Sequence, residues 1–365
     1  MLPRDIRAQV RRRADYRPPA FLTDTLALEF DLDPVATRVT ATLAFRRNPD
    51  AAAEDRAAPF ALDGEQQTDV SVDLDGVRLP PSRIARDESG LALLDPPAAG
   101  TLTIRSTIAP SKNVALEGLY RSSNVFCTQC ESEGFRRIAY FPDRPDVLAR
   151  YTVTLRADRR ACPVLLSNGE LVASGALPDG RHYATWRDPH PKPSYLFALV
   201  AGDLAALEDT FTTASGRAVA LRIYSTRENL PRCRHAMASL KRAMRWDEER
   251  YGREYDLGTF MIFCADDFNM GAMENKGLNI FNSRLVLADP EVATDADYTA
   301  IEGVIGNEYF GPDGIGEQRG HPQRVGRTGR ASNEADARRL WEVSEGLTGV
   351  RFSALDRGAG NEVPA

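Results

Sequence analysis

Apolar residues fall at every second position through the first part of this chain. Leu26, Leu28, Phe30 and Leu32 alternate with polar or small neighbours, Asp33-Pro34 breaks the run, and Val39, Ala41, Leu43 and Phe45 resume it. A period of two places alternate side chains on one face of a strand, so the pattern predicts two strands joined by a turn. Val153, Leu155 and Ala157 predict another strand, and the run from Tyr195 to Val200 a further one. Pro80-Pro81, Pro96-Pro97 and Asp179-Gly180 punctuate these segments. Many short strands with frequent turns predict a sandwich-like β-domain over residues 1–203.

The period changes after Leu204. Met237, Leu240 and Met244 are spaced three and four apart, with Arg and Glu on the other faces and Gly252 as the stop. That is a helix. Phe260 to Cys264 reads as a strand. A second helix starts at Thr294 or Asp295, either of which can cap it, and buries Tyr298, Ile301, Ile305 and Tyr309. Residues 204–310 therefore predict a domain mixing helices and strands. From Gly311 to Arg339 the chain is rich in Gly and Arg and nearly free of large apolar residues. Such a segment buries too little apolar surface to offset its ordering entropy, so 311–365 reads as irregular.

Composition narrows the class. The chain has 365 residues, 42% hydrophobic and 27% charged, with a net charge of -6. This length suits two domains, and the charge does not favour nucleic acid. The Gln323–Arg330 stretch is similar to an arginine-finger motif of helicases, but no phosphate-binding G-x-x-x-x-G-K-[ST] loop accompanies it. The charged N-terminus is not a secretory signal, and no stretch has the ~18 apolar residues of a membrane span. The expectation is a soluble cytoplasmic protein without membrane or nucleic-acid partners. Cys127 and Cys130 form a lone Cys-x-x-Cys, with no second pair at matching spacing to complete a structural zinc site.

One segment carries chemistry. Gly271-Ala272-Met273-Glu274-Asn275 follows a predicted strand, with Met270 before it and Lys276-Gly277-Leu278-Asn279 after it. Upstream lie Gly118–Ser123, Cys127–Phe135 and Tyr140–Val147. Together these resemble the bacterial branch of the aminopeptidase N family of zinc metallopeptidases, and the similarity runs from about residue 15 to 310. The resemblance implies an N-terminal β-domain followed by the start of a thermolysin-like catalytic domain. It also implies site residues. Glu131 and Glu274 would hold the cationic amino group of a peptide with a free N-terminus, as carboxylates do through charge-assisted hydrogen bonds. Gln129 would shape the first subsite. Gly271, Ala272, Met273 and Asn275 complete the substrate-binding motif, the small residues letting backbone approach the peptide.

The family's metal site is a His-Glu-x-x-His helix. Histidines four apart share a face and reach zinc, and the Glu acts as general base on the zinc-bound water. Here the matching segment is Asn307-Glu308-Tyr309-Phe310-Gly311. Glu308 stands at the general-base position, while the two histidine positions hold Asn307 and Gly311. Asn offers a neutral amide oxygen, and Gly no side chain. Catalytic zinc generally needs three protein ligands. The family spacing puts the third ligand at Arg330; Glu345, in a family-like Ser-Glu-Gly-Leu-Thr fragment, lies fifteen residues later. His321 supplies no fixed alternative. The chain ends at Ala365, before the position of the family's transition-state tyrosine.

The expectation is a chain that has lost zinc and peptidase activity. Three alternatives stand beside the family function: a non-catalytic module binding peptide N-termini, a degenerate gene fragment, and an enzyme with a rebuilt metal site. The abrupt end of the match at Gly311 suggests a frame disruption, which sequencing the gene across codons 300–365 would test.

Overall fold

The computed structural model describes residues 16–306, 310–312 and 322–324. The chain divides into two compact units. The first is Met1–Asp203 together with Glu274–Leu278, and the second is Leu204–Met273 with Asn279–Ala365.

The described part of the first unit is built from strands: β1 (Phe21–Asp31), β2 (Thr37–Arg47), β3 (Phe60–Asp63), β4 (Thr68–Leu74), β5 (Val77–Arg78), β6 (Ile84–Arg86), β7 (Gly90–Leu93), β8 (Ala99–Ile108), β9 (Gly118–Ser122), β10 (Val125–Gln129), β11 (Arg150–Asp158), β12 (Val164–Ser167), β13 (Glu170–Ala176), β14 (Arg181–Arg187) and β15 (Leu199–Gly202). They form an eight-stranded sheet in the order β13-β14-β11-β1-β2-β8-β4-β5, a four-stranded sheet β12-β15-β10-β9, and a three-stranded sheet β3-β7-β6. The strand-rich character read from the period of two is what the structure has.

The register explains why the period works. Leu26, Leu28 and Phe30 of β1 lie opposite Leu43, Ala41 and Val39 of β2, and all six are buried. A one-residue slip would turn this whole set to the other face of the sheet. Leu32 falls beyond the end of β1 and is only half-buried.

The run Tyr195–Val200 is not one strand. Pro193 precedes a 3-10 turn over Ser194–Leu196, and the Phe197 N–H closes it by donating to the Ser194 carbonyl at 3.0 Å. Pairing starts only at Leu199. The turn aims Phe197 into an aromatic cluster, where its ring centroid lies 5.3 Å from Phe135, 6.2 Å from Tyr151 and 6.1 Å from Phe30. Burial of these rings overrides the local strand pattern.

The second unit mixes both element types. Strands β16 (Ala205–Thr212), β17 (Ala218–Ser225), β18 (Thr259–Ala265), β19 (Ala272–Met273) and β20 (Leu278–Asn282) make a sheet in the order β16-β17-β18-β20-β19. β17 and β18 are parallel, and their connection carries helix α1 (Arg234–Tyr251). Met237, Leu240 and Met244 bury the face predicted for them, and Gly252 ends the helix at φ 62°, where a side chain would be strained. Helix α2 (Asp295–Ile305) starts from Thr294 in a capping box with Asp297. Ile301 and Ile305 are buried and Tyr298 partly so; Tyr309, assigned to the same stripe, lies outside the described residues.

The irregular reading of 311–365 needs one correction. Phe310–Pro312 (β21) pairs antiparallel with Pro322–Arg324 (β22), Gly311 facing Gln323. Strands of three residues are too short to print a period on the sequence, which is why the pattern did not show them.

Candidate functional site

The β9–β10 hairpin delivers the first pair of site residues. Ser122 pairs with Val125, and the tight turn between them puts Ser123 at φ 52°. β10 ends at Gln129, which is buried, and its side-chain amide donates to the Glu131 carbonyl at 3.2 Å. The chain then folds back sharply. The Gly134 N–H donates to the Cys130 carbonyl at 2.8 Å, and a Cβ on Gly134 would stand 2.4 Å from the Gln129 carbonyl oxygen. Only glycine fits there. The consequence is a short loop whose backbone is fixed while the Glu131 side chain remains exposed.

What anchors this loop is a polar network that the sequence reading missed. Arg136 donates to the Asp143 carboxylate at 3.0 Å and stands 3.4 Å from Glu133. Asp143 is buried, accepts a 2.6 Å hydrogen bond from the Ser194 hydroxyl, and its N–H donates to Asp63 at 2.9 Å. Burial pushes the Asp143 carboxyl above the ordinary range, while Ser194 and Arg136 pull it back. The Arg136 carbonyl accepts from the Glu65 N–H at 2.9 Å and from the Gln67 amide at 3.0 Å. The loop carrying Glu131 is thus tied at its C-terminal end to three separate parts of the first unit.

Glu274 and Asn275 belong to the short segment Glu274–Leu278 that counts with the first unit. Glu274 is exposed and Asn275 buried. The Leu278 N–H closes the segment on the Asn275 carbonyl at 2.9 Å, and Gly277 takes φ 89°. Asn168 holds the segment. Its amide NH2 donates to the carbonyls of Lys276 and Leu196, each at 3.1 Å, and its oxygen accepts from the Ala198 N–H at 2.7 Å. Asn168 follows β12 in a Ser-Asn-Gly turn, with Gly169 at φ 88°. An Asn-Gly pair after a strand announces a turn; nothing local announces a bond to a residue 108 positions away.

Gly271, Ala272 and Met273 belong to the second unit. Ala272 pairs with Phe281 and Met273 with Ile280, and the Asn282 N–H donates to the Gly271 carbonyl at 2.9 Å. The Asn282 amide also reaches the carbonyls of Phe268 and Met270, at 3.5 and 3.4 Å. Met273 is buried; Gly271 is exposed and Ala272 half-exposed. The motif is therefore a fixed short strand presenting small residues, the arrangement that lets another backbone approach.

The general-base position Glu308, its neighbour Asn307 and the metal-ligand candidate Glu345 lie outside the described residues, as do His321 and Arg330. Among the described residues no group of three or more His, Cys, Asp or Glu could hold a metal ion. At the positions that the family resemblance aligns with zinc ligands, the sequence carries an amide at Asn307, no side chain at Gly311 and a guanidinium at Arg330, donors that do not fit catalytic zinc. Cys127, Cys130 and Cys162 are buried and are not in disulfides. No helix among the described residues is long and apolar enough to cross a membrane.

Comparison with known proteins supplies the lineage. Residues 93–196 match the Peptidase M1 N-terminal domain, and residues 235–311 match the Peptidase family M1 domain. The chain is 56% identical over 297 residues to aminopeptidase N of Caulobacter vibrioides, covering 81% of this chain and 34% of that protein. With aminopeptidase N of Escherichia coli K12 it shares 53% over 302 residues, covering 83% of this chain and 34% of the relative. It therefore spans about a third of the length of the curated relatives it matches. Among solved structures, Legionella pneumophila aminopeptidase A in complex with aspartic acid superposes with a TM-score of 0.77 at 35% identity, over 81% of this chain and 35% of that one. The two matched domains lie in family order, and the chain belongs to the M1 peptidases, a zinc-dependent family.

Proposed function

We propose that this chain binds the free N-terminus of peptides through Glu131 and Glu274 and does not hydrolyse them. The observation that supports this most is the contrast between the two carboxylates and their surroundings. Both side chains are exposed, yet each sits on backbone fixed by buried polar groups, Gln129 and Asp143 for one and Asn168 for the other. Preorganised carboxylates recognise an ammonium group at little ordering cost. Hydrolysis in this family draws on a metal-activated water. The residues at the ligand positions here do not supply that site, and without metal activation water is far too weak an acid for a carboxylate such as Glu308 to deprotonate at neutral pH.

Calorimetric titration with a short peptide, free or N-acetylated, tests the binding. The free peptide is expected to bind and the acetylated one to bind at least ~10-fold more weakly, a loss of about 1.4 kcal/mol. Glu274→Ala should remove the discrimination. Equal affinity for both peptides would refute amine recognition. Release of free amino acids by the wild type, abolished in Glu308→Ala, would refute the non-hydrolytic part.

Zinc content provides an independent check. After dialysis against trace zinc, elemental analysis is expected to find far less than one metal per chain. A stoichiometric zinc lost in Glu308→Ala or Glu345→Ala would mean that a metal site has been rebuilt and would remove the ground for the non-hydrolytic reading.

A further inference from the structure

The first unit contains a cavity of about 710 Å³ that neither Glu131 nor Glu274 lines. The small sheet β3-β7-β6 forms one wall. Ala61, Ala92 and Ala85 stand side by side across its three strands. Residues paired in this way share a face. Two positions further along, the same face carries Asp63 opposite Gly90, and the Asp87 N–H donates to the Gly90 carbonyl at 3.1 Å. The large side chains Phe60, Leu62, Leu91 and Leu93 alternate with these and are buried. The wall is therefore flat and made of small residues between two carboxylates. Gly90 is required there, because a Cβ would stand 2.4 Å from the Leu62 carbonyl oxygen.

The cavity also meets an open strand edge. β3 is at the end of its sheet. Asp63 exchanges both backbone bonds with Phe141, at 2.9 and 3.2 Å, so its N–H and C=O point away from β7. The groups of Ala61, two residues earlier, point the same way. Among the described residues no strand or bridge pairs with Ala61 on that side. Pro142 follows Phe141 and has no N–H to continue the ladder. Ala61 thus offers one donor and one acceptor on the edge beside the cavity it lines.

Charge decides what fits. The cavity is lined by four carboxylates and three guanidiniums, and the guanidiniums are engaged. Arg86 donates to the Tyr140 hydroxyl and the Gln67 carbonyl. Arg144 donates to Asp146, which lies outside the lining, and to the Arg17 carbonyl. Arg136 donates to Asp143 and stands 3.4 Å from Glu133 and 3.9 Å from Asp63. One guanidinium therefore serves three carboxylates. Asp87 accepts from the Ser89 and Gly90 N–H groups and forms no ion pair among the described residues. The balance is an excess of negative charge around a neutral, open backbone edge.

We propose that this cavity binds an extended peptide segment carrying a lysine or arginine. The segment's backbone adds to β3 at Ala61, and its cationic side chain lies over the alanine wall toward Asp63, Asp87 and Glu133. Main-chain bonds to a strand edge give affinity, and the flanking side chains select the residue. The volume lies within the range of about 300–1,000 Å³ common for ligand pockets. The segment needs no free end, so this site goes beyond recognition of a peptide N-terminus and does not depend on it.

The test is calorimetric titration of the full chain with the N-acetylated, C-amidated peptide Val-Lys-Val-Lys-Val, and with the same peptide carrying Glu for Lys. The lysine peptide is expected to bind saturably and the glutamate peptide at least ~10-fold more weakly. Absence of saturable binding, or equal affinity for the two, would overturn the proposal. Asp87→Asn keeps the turn, which Asn also forms, and should weaken the lysine peptide roughly 3-fold. Glu274→Ala should leave its affinity unchanged. The reverse result, a loss in Glu274→Ala and none in Asp87→Asn, would assign the peptide to the other carboxylates and sink this site. Ala61→Pro removes the outward N–H, a position where a strand edge tolerates proline, and should weaken binding about 5-fold. Unchanged affinity would rule out pairing with β3. If that variant does not fold, lysine peptides N-methylated at one or the other alternate set of amides replace it. One set should lose binding, and full affinity for both would exclude the edge.

Discussion

The two units solve the same problem in different ways. Each holds one part of the Gly271–Asn275 motif in place. In the second unit β19 is held by regular pairing with β20, and Asn282 holds Gly271 just before it. The first unit does it with irregular chain. Glu131 and Glu274 both sit in loops, and buried polar groups provide the anchors. Asp143 is bound by Arg136 and Ser194, and Asn168 binds three backbone groups. In the same unit Lys192 and Asp188 form an ion pair at 2.9 Å, their side chains 5% and 1% exposed, with the ammonium 4.0 Å from the Tyr151 ring centroid. The second unit's buried carboxylate, Glu248, has a partner, Arg245, that is 45% exposed. Loops outside a ladder must have their backbone groups satisfied some other way, and buried side chains do that at the cost of desolvation.

The largest effect expected from breaking this contrast is at Lys192. Lys192→Met removes the group that hydrogen-bonds the buried Asp188 carboxylate and should destabilise the first unit by about 3–5 kcal/mol at pH 10 and by less at pH 7, where the wild type carries the desolvated ammonium, leaving the second unit's unfolding unchanged. The pH dependence has a definite sign. Burial pushes the Lys192 pKa down to about 8, with Asp188 opposing. An unfolded lysine titrates near ~10.4, so between these values the unfolded chain binds more protons than the folded one. Stability then rises with pH across that window, by on the order of 3 kcal/mol from this group. The Met variant lacks the gain. Urea midpoints at pH 7, 8.5 and 10 should show the gap between wild type and variant widening; a constant gap would mean that Lys192 titrates normally.

A smaller effect is expected at Asn168. Alanine there removes its bonds to the Lys276, Leu196 and Ala198 backbones and leaves buried groups unpaired, a cost of about 2–3 kcal/mol. The informative readout is peptide binding. Affinity for a free-amine peptide should fall several-fold in folded Asn168→Ala, because Glu274 loses its fixed support. Unchanged affinity would separate Asn168 from the site and leave it a structural residue of the first unit.

How much of this was legible in the sequence follows from the range of the interactions. β1, β2, β11, β18 and both helices could be read because their signals are local: a period of two, spacings of three and four, a Gly stop, a Thr cap. The motif residues were legible through family resemblance. What could not be read depends on partners far away in sequence. Asn168 reaches across 108 positions and Ser194 across 51. Phe197 is drawn into the aromatic cluster against its local strand pattern.

The smallest effect expected is on the side of the comparison built from regular structure. Thr294 caps α2: its hydroxyl accepts from the Asp297 N–H at 3.3 Å, and the Asp297 carboxylate accepts from the Thr294 N–H at 2.8 Å. The Asp297 carboxyl is held below its usual range first by the Thr294 N–H and then by the Thr294 hydroxyl, which donates to it at 2.8 Å. Thr294→Ala removes one half of this box and should cost about 1 kcal/mol. α2 packs against α1 through Ile301 in the second unit's core, so the loss should appear in that unit's unfolding and not in the first's. Hydrogen exchange on the amides of 295–298 gives the sharpest reading. Faster exchange confined to that first turn, with 301–305 protected as before, is the expected signature of a local cap. Acceleration along the whole helix would mean that the core contacts of Ile301 and Ile305 depend on the cap, and that regular structure here needs polar anchoring as much as the loops of the first unit do.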